Sequence, residues 1–109
     1  MSYRATNKDL QWLYNTYNRK YFGNKLPKDL KIKFSTMRKC IGKTWYVHDT
    51  KEPKRIEIDT RLRSNMCVAH MTLLHEMVHV EQCEKSGHGR WFNKRMLQLA
   101  QAGAFNGLW

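Results

Sequence analysis

The stretch His-Glu-Met-Val-His at residues 75–79 limits what this chain can fold into more than any other feature. Residues four apart on an α-helix are offset by about 40° and one turn of rise, so His75 and His79 can both direct a ring nitrogen at one metal ion. Glu76 then flanks the metal, where its carboxylate can take a proton from a metal-bound water without being a ligand. The helix is predicted to be buried, because the residues within and beside the motif are mostly apolar: Leu73, Leu74, Met77, Val78 and Val80.

A third ligand is needed, because a catalytic zinc usually holds three protein ligands and leaves the fourth position to water. His88 is the leading candidate, since no Asp or Glu follows Glu84 and no Cys follows Cys83. Gly87 and Gly89 flank it, and glycine permits the tight turn that would end the helix and return His88 to the metal. The predicted site therefore has three histidine ligands and one catalytic carboxylate: His75, His79, His88 and Glu76.

Other candidate ligands fit this geometry less well. His70 lies roughly 140° around the helix from His75. Cys83 shares the stripe of His75, but a rise of about 12 Å separates them, so a small buried apolar role is the better interpretation. The sequence alone does not place His48 relative to the metal. It could support a ligand, contact substrate or lie in a solvated loop.

Length and composition indicate one domain, residues 1–109. A chain of 109 residues with 41% hydrophobic residues can form one modest core but is too short for two domains. Three cysteines without a CxxC pair argue against a disulfide framework or a cysteine zinc ribbon, and a reducing compartment is expected. The polar segment Met1 to Asn18 lacks the apolar region of a signal peptide, and no apolar run has membrane-spanning length. We expect a monomeric, cytoplasmic protein without membrane association.

The net charge of +11 predicts an anionic partner, with nucleic acid first among the possibilities. A solvated surface that only confers solubility is the alternative. Trp45 and Tyr46 could stack on unpaired bases or pack in the core as strand residues. The basic residues recur as pairs: Arg19-Lys20, Arg38-Lys39, Lys54-Arg55 and Lys94-Arg95.

The order of predicted elements is helix, three strands, helix, helix, which is an α+β fold with a small antiparallel or mixed sheet. Thr6 and Asp9 resemble a capping signal, and apolar residues then recur at helical spacing until Gly23. Ile56 and Ile58 are expected to face the core, while Phe105 and Trp109 are expected to pack down. The strands are predicted at about 30–34, 41–48 and 55–60, and the later helices at about 65–84 and 90–102.

The chain resembles the SprT-like family, the zincin domain shared with the Spartan DNA-protein crosslink proteases. The motifs that carry the likeness span nearly the whole chain: Tyr17, Tyr21-Phe22, Lys25-Leu26-Pro27, Ile56 to Arg61, Leu73 to His79, His88-Gly89 and Phe92. The resemblance implies a compact zincin with one Zn²⁺ held by His75, His79 and His88 and with Glu76 as catalytic glutamate. It also implies cleavage of protein substrates on or attached to DNA. Many members carry a DNA-binding extension after this domain; without one, the basic surface is expected to bind DNA alone.

Two rival functions follow from the same residues. One is a non-enzymatic nucleic-acid-binding module with a structural zinc, which would require four protein ligands. The other is a metal-free helical core in which the motif is incidental. For a peptidase, we expect the substrate backbone to add beside an edge strand near the metal helix, with Arg90, Tyr46 and His48 as candidates for stabilising the oxyanion.

Overall fold

A computed structural model describes residues 4–50, 52–82 and 89–105. It confirms the predicted α+β order of a helix, three strands and two helices. A short 3-10 helix after the third strand was not predicted; it begins where the Asp59 carboxylate accepts a hydrogen bond from the Arg61 amide at 2.9 Å. The elements are α1 (Asn7–Tyr21), β1 (Lys31–Ser35), β2 (Gly42–Tyr46), β3 (Pro53–Asp59), the 3-10 helix (Thr60–Ser64), α2 (Met66–Gln82) and α3 (Arg90–Gln101).

The N-terminal capping residues of α1 and the glycine after its C-terminus are those that the sequence predicts. The Thr6 hydroxyl accepts a hydrogen bond from the Asp9 amide, and the Asp9 carboxylate accepts one from the Thr6 amide at 2.8 Å, which completes a capping box. After the helix, Gly23 and Asn24 both adopt positive φ angles of about 60°. This left-handed backbone suits glycine and asparagine and reverses the chain toward β1.

The sheet is mixed, with the strand order β1-β3-β2. The central strand β3 pairs parallel to β1 and antiparallel to β2, so β2 is an edge strand. Ile56 and Ile58 on β3 are fully buried, as expected from their alternation with polar residues. The sheet therefore has one face toward the apolar core, and among the described residues β2 pairs with β3 on one side only.

Helix α2 packs against β2 and β3, and α1 packs against β1. Asn65 caps α2, since its carbonyl accepts a hydrogen bond from the Ala69 amide and its side-chain oxygen accepts one from the Val68 amide. Phe105 is buried as predicted, whereas Trp109 lies outside the described residues. Although α2 is the most apolar helix, no helix in the described ranges has the length and apolarity needed to cross a bilayer.

His70 lies on a different side of α2 from His75 and His79 and joins α2 to α1. Its Nδ1 atom lies 2.6 Å from the Tyr17 hydroxyl, and burial raises the pKa of that phenol to about 12, so Tyr17 keeps its proton. Burial lowers the pKa of His70. Because the unfolded chain then binds a proton more readily than the folded one, stability is full above the unfolded pKa of about 6.5 and falls as the pH drops below it.

Replacing His70 by glutamine should remove this pH dependence. We expect the free energy of unfolding of the parent to fall more steeply than that of His70→Gln as the pH is lowered from 7.5 to 5. Urea unfolding of both proteins at several pH values, with a chelator present throughout so that metal binding does not contribute, measures the difference. Parallel pH profiles would contradict this role of His70.

Candidate metal centre

His75 and His79 place their ring nitrogens where one metal ion can hold both. The two Nε2 atoms lie 3.3 Å apart on successive turns of α2. Two imidazole nitrogens on a tetrahedral ion with metal–nitrogen distances of about 2.0–2.1 Å are separated by about 3.3–3.4 Å. His75, Glu76 and His79 form a group whose possible ligand atoms lie within 4.8 Å of one another. The donor set and its spacing therefore fit a tetrahedral metal site.

Phe92 of α3 holds the two imidazoles in place. Its ring centroid lies 4.8 Å from that of His75 in an edge-on arrangement and 4.7 Å from that of His79 in a stacked one. Phe92 is itself buried, and α3 is attached to α2 by the Arg95–Glu81 ion pair at 2.7 Å. A ring packed against both histidines restricts their rotamers, so the nitrogens are pre-positioned for a metal.

Glu76 is buried and points toward β2. Its side chain Oε1 accepts a hydrogen bond from the Thr44 hydroxyl at 2.9 Å, and that hydroxyl also lies 3.3 Å from the main-chain oxygen of Glu76. Burial raises the pKa of the Glu76 carboxyl, and the hydrogen bonds from Thr44 act against this shift. A carboxyl group that the Thr44 hydroxyl holds in place, and whose pKa is raised by burial, is suited to proton transfer.

Gly42 allows β2 to approach the helix at this carboxylate. A Cβ atom built on Gly42 would lie 2.5 Å from Cγ2 of Thr72 and 3.4 Å from both Cγ and Oε2 of Glu76. The glycine is required by this contact and not by an unusual φ angle. The absence of a side chain at residue 42 therefore sets the distance between the edge strand and the Glu76 carboxylate.

We expect Gly42→Ala to destabilise the protein by about 1–3 kcal/mol, the usual cost of overpacking, and to displace Glu76. Urea unfolding measures the loss. Thr72→Ala removes the methyl group that the new Cβ would meet, so the double variant should lose clearly less stability than the two single changes summed. Additive losses would mean that the contact between β2 and α2 is not what requires glycine.

A cavity of about 840 Å³ opens beside the two histidines and Glu76. Tyr46 also lines it, and its hydroxyl donates a hydrogen bond to the main-chain oxygen of His79 at 3.1 Å. The other lining side chains are mainly apolar: Ile41, Val68, Met71, Met96 and Phe105. The cavity joins the edge of β2 to the candidate metal centre, so an extended peptide beside β2 would lie next to Glu76.

The structure brings together three of the four predicted site residues: His75, Glu76 and His79. His88 and Cys83 lie outside the described residues, so the third ligand stays a prediction. Tyr46 lies at the cavity, whereas the described lining residues include neither His48 nor Arg90, and both of these are exposed.

Sequence reasoning did not identify the parts played by Thr44, Gly42 and Phe92. Alternation along β2 puts residues 42, 44 and 46 on one face, but nothing local shows that this face meets α2. Phe92 is among the residues that carry the family resemblance, but the sequence predicts no contact between it and the histidines.

Two histidines and a glutamate in an HExxH arrangement on one helix, beside an edge strand and a cavity, could hold a metal ion and are typical of metallopeptidase-type domains. The sequence model of the SprT-like family matches residues 10–107. Because the match covers nearly the whole chain, the protein belongs to the SprT-like family. A comparison with individually curated proteins found no match.

Proposed function

We propose that this protein is a zinc-dependent metallopeptidase that hydrolyses peptide bonds in proteins bound or crosslinked to DNA. The observation that carries the proposal is the 3.3 Å separation of the His75 and His79 Nε2 atoms next to the buried carboxyl of Glu76. Two metal-directed imidazoles with a neighbouring carboxylate that is hydrogen-bonded to another element are the parts that metal-assisted hydrolysis requires.

His75, His79 and His88 would hold the ion. A bound Zn²⁺ would lower the pKa of a coordinated water to about 7 and polarise the scissile carbonyl. The Glu76 carboxylate accepts the proton of the attacking water and delivers it to the leaving amine, and the Thr44 hydroxyl keeps Oε1 oriented during both transfers. The stacked Phe92 ring prevents the imidazoles from rotating away.

The substrate backbone would extend along the edge of β2 that lies opposite β3, as peptides do when they add to a sheet. Gly42 and Thr44 belong to this strand and lie directly against Glu76, so the bound substrate backbone would run beside the Glu76 carboxylate. The apolar part of the cavity would accept a substrate side chain next to the scissile bond. Tyr46 lines the cavity, and its hydroxyl would donate to the oxyanion only by giving up its hydrogen bond to the His79 main-chain oxygen.

The DNA part of the proposal is supported by the net charge of +11, since a field of this sign concentrates polyanions. It is also supported by membership of the SprT-like family, since resemblance to that family implies substrates on or attached to DNA. No membrane partner is proposed.

Cleavage of casein and of a protein crosslinked to an oligonucleotide tests this function. We expect cleavage by the zinc-replete protein, loss of cleavage with a chelating agent, and recovery on addition of Zn²⁺. Cleavage that is indifferent to the chelator would contradict a metal mechanism. Bound metal at about one ion per chain without any cleavage would favour the binding module with a structural zinc.

A further inference from the structure

The side of the sheet that points away from α2 carries a cluster of cations around one tryptophan. Thr44 reaches Glu76 on the inner side, so the alternation of β2 directs Lys43 and Trp45 to the opposite side. The same alternation in β1 and β3 brings further charged residues to this side. We call it the outer sheet face, formed by Lys31, Lys33, Lys43, Trp45, Arg55 and Glu57.

The strand register arranges these residues in two rows across all three strands. Arg55 lies between Lys31 of β1 and Trp45 of β2, and Glu57 lies between Lys33 and Lys43 in the next row. Neighbouring strands are about 4.8 Å apart, so each row spans about 10 Å. Four cations therefore share one small surface with a single carboxylate.

That carboxylate is engaged within the face. Glu57 is buried, and its oxygens accept a hydrogen bond from Trp45 Nε1 at 2.6 Å and lie 3.6 Å from Lys33 Nζ and 3.5 Å from Arg55 Nε. Lys43 Nζ lies 4.1 Å and Arg55 Cζ 4.8 Å from the Trp45 ring centroid. Glu57 thus holds the Trp45 indole in place by a hydrogen bond. The three lysines remain exposed, and the outer sheet face keeps a net positive charge.

We infer that the outer sheet face binds single-stranded nucleic acid, with Lys31, Lys33 and Lys43 on its phosphates. An open sheet with an aromatic residue among cations suits a single strand, whereas a duplex is usually read through its grooves. The inference rests on the DNA part of the proposed function and gives it a location. β2 contributes Lys43 and Trp45 to this face and Gly42 and Thr44 to the cavity, which Lys43 also lines, so a protein attached to the bound strand would lie near the edge of β2.

The test compares two double variants with equal loss of charge. Lys31→Gln/Lys33→Gln removes two cations of the outer sheet face, and Lys8→Gln/Lys94→Gln removes two exposed cations of α1 and α3. Binding of a fluorescent single-stranded oligonucleotide is measured by anisotropy over a range of salt concentrations. We expect the first variant to bind the oligonucleotide at least 10-fold more weakly than the parent. A plot of the logarithm of the binding constant against the logarithm of the salt concentration should become shallower by about 1.4, which is about 0.7 for each of two lost phosphate contacts. The control should stay within about 2-fold of the parent.

Equal losses in the two variants, or no binding by the parent, would overturn the inference. Tighter binding of a duplex through the same two lysines, or equal binding of anionic phospholipid vesicles or polyglutamate, would assign the face to another partner and overturn it as well. Cleavage of a short uncharged peptide is measured in the same preparations. Oligonucleotide binding that depends on Lys31 and Lys33 in a protein without peptidase activity would support the surface and contradict the proposed enzyme function.

Discussion

Replacing Glu76 by glutamine should lower kcat/KM for peptide hydrolysis by about 10²–10⁴-fold, the usual contribution of a general base. Glutamine has nearly the same shape and can still pair with the Thr44 hydroxyl, but it cannot take up the proton of the attacking water. The fold should be unchanged, since the side chain keeps its volume in a buried position between α2 and β2. The protein should also retain its metal, because the proposed ligands are the histidines.

Steady-state cleavage, metal content and urea unfolding of the same preparation separate these effects. Glu52→Gln is the matched control, because this residue is exposed in the turn before β3 and should leave kcat/KM unchanged. Retained cleavage by Glu76→Gln would overturn the assignment of the base. Loss of both metal and activity would instead place Glu76 among the ligands.

Replacing His88 by alanine should remove most of the bound zinc and, with it, the peptidase activity. Loss of a residue that only orients a ligand costs about 10–100-fold in metal affinity, so removing a direct ligand should cost more than 100-fold. His75→Ala should have an effect of the same size, because His75 supplies one of the two nitrogens that lie 3.3 Å apart. Elemental analysis and titration with a zinc-sensitive dye measure occupancy and affinity.

His48→Ala provides the control for this pair, since His48 is exposed in the turn after β2. We expect it to keep about one zinc per chain. If His88→Ala binds zinc as tightly as the parent while His75→Ala does not, the third ligand is a different residue. If neither substitution changes the zinc content, the HExxH motif is incidental and the peptidase proposal falls.

Local features of the chain were predictable because their geometry depends on neighbours in sequence. The four-residue spacing of His75 and His79 places both rings on one side of any α-helix, which is why the metal-directed pair is evident without a structure. The Thr6 and Asp9 capping box depends on residues three apart, and the alternation around Ile56 and Ile58 reports burial of one strand face.

The tertiary structure decided which elements meet at the site. Alternation shows that Gly42 and Thr44 share a face of β2 with Tyr46, yet only the packing of β2 on α2 places that face at Glu76. Phe92 reaches the histidines because α3 packs back on α2.

Strand order likewise required the fold. A central β3, parallel to β1 and antiparallel to β2, makes β2 the edge strand and gathers Lys31, Lys33 and Lys43 on one face. The sequence by itself determined the helical metal motif, the helix caps and the apolar strand pattern, since these depend on short-range geometry. Contacts between residues that are distant in the chain form only when all the elements pack together in one core. The folded structure alone therefore decided them.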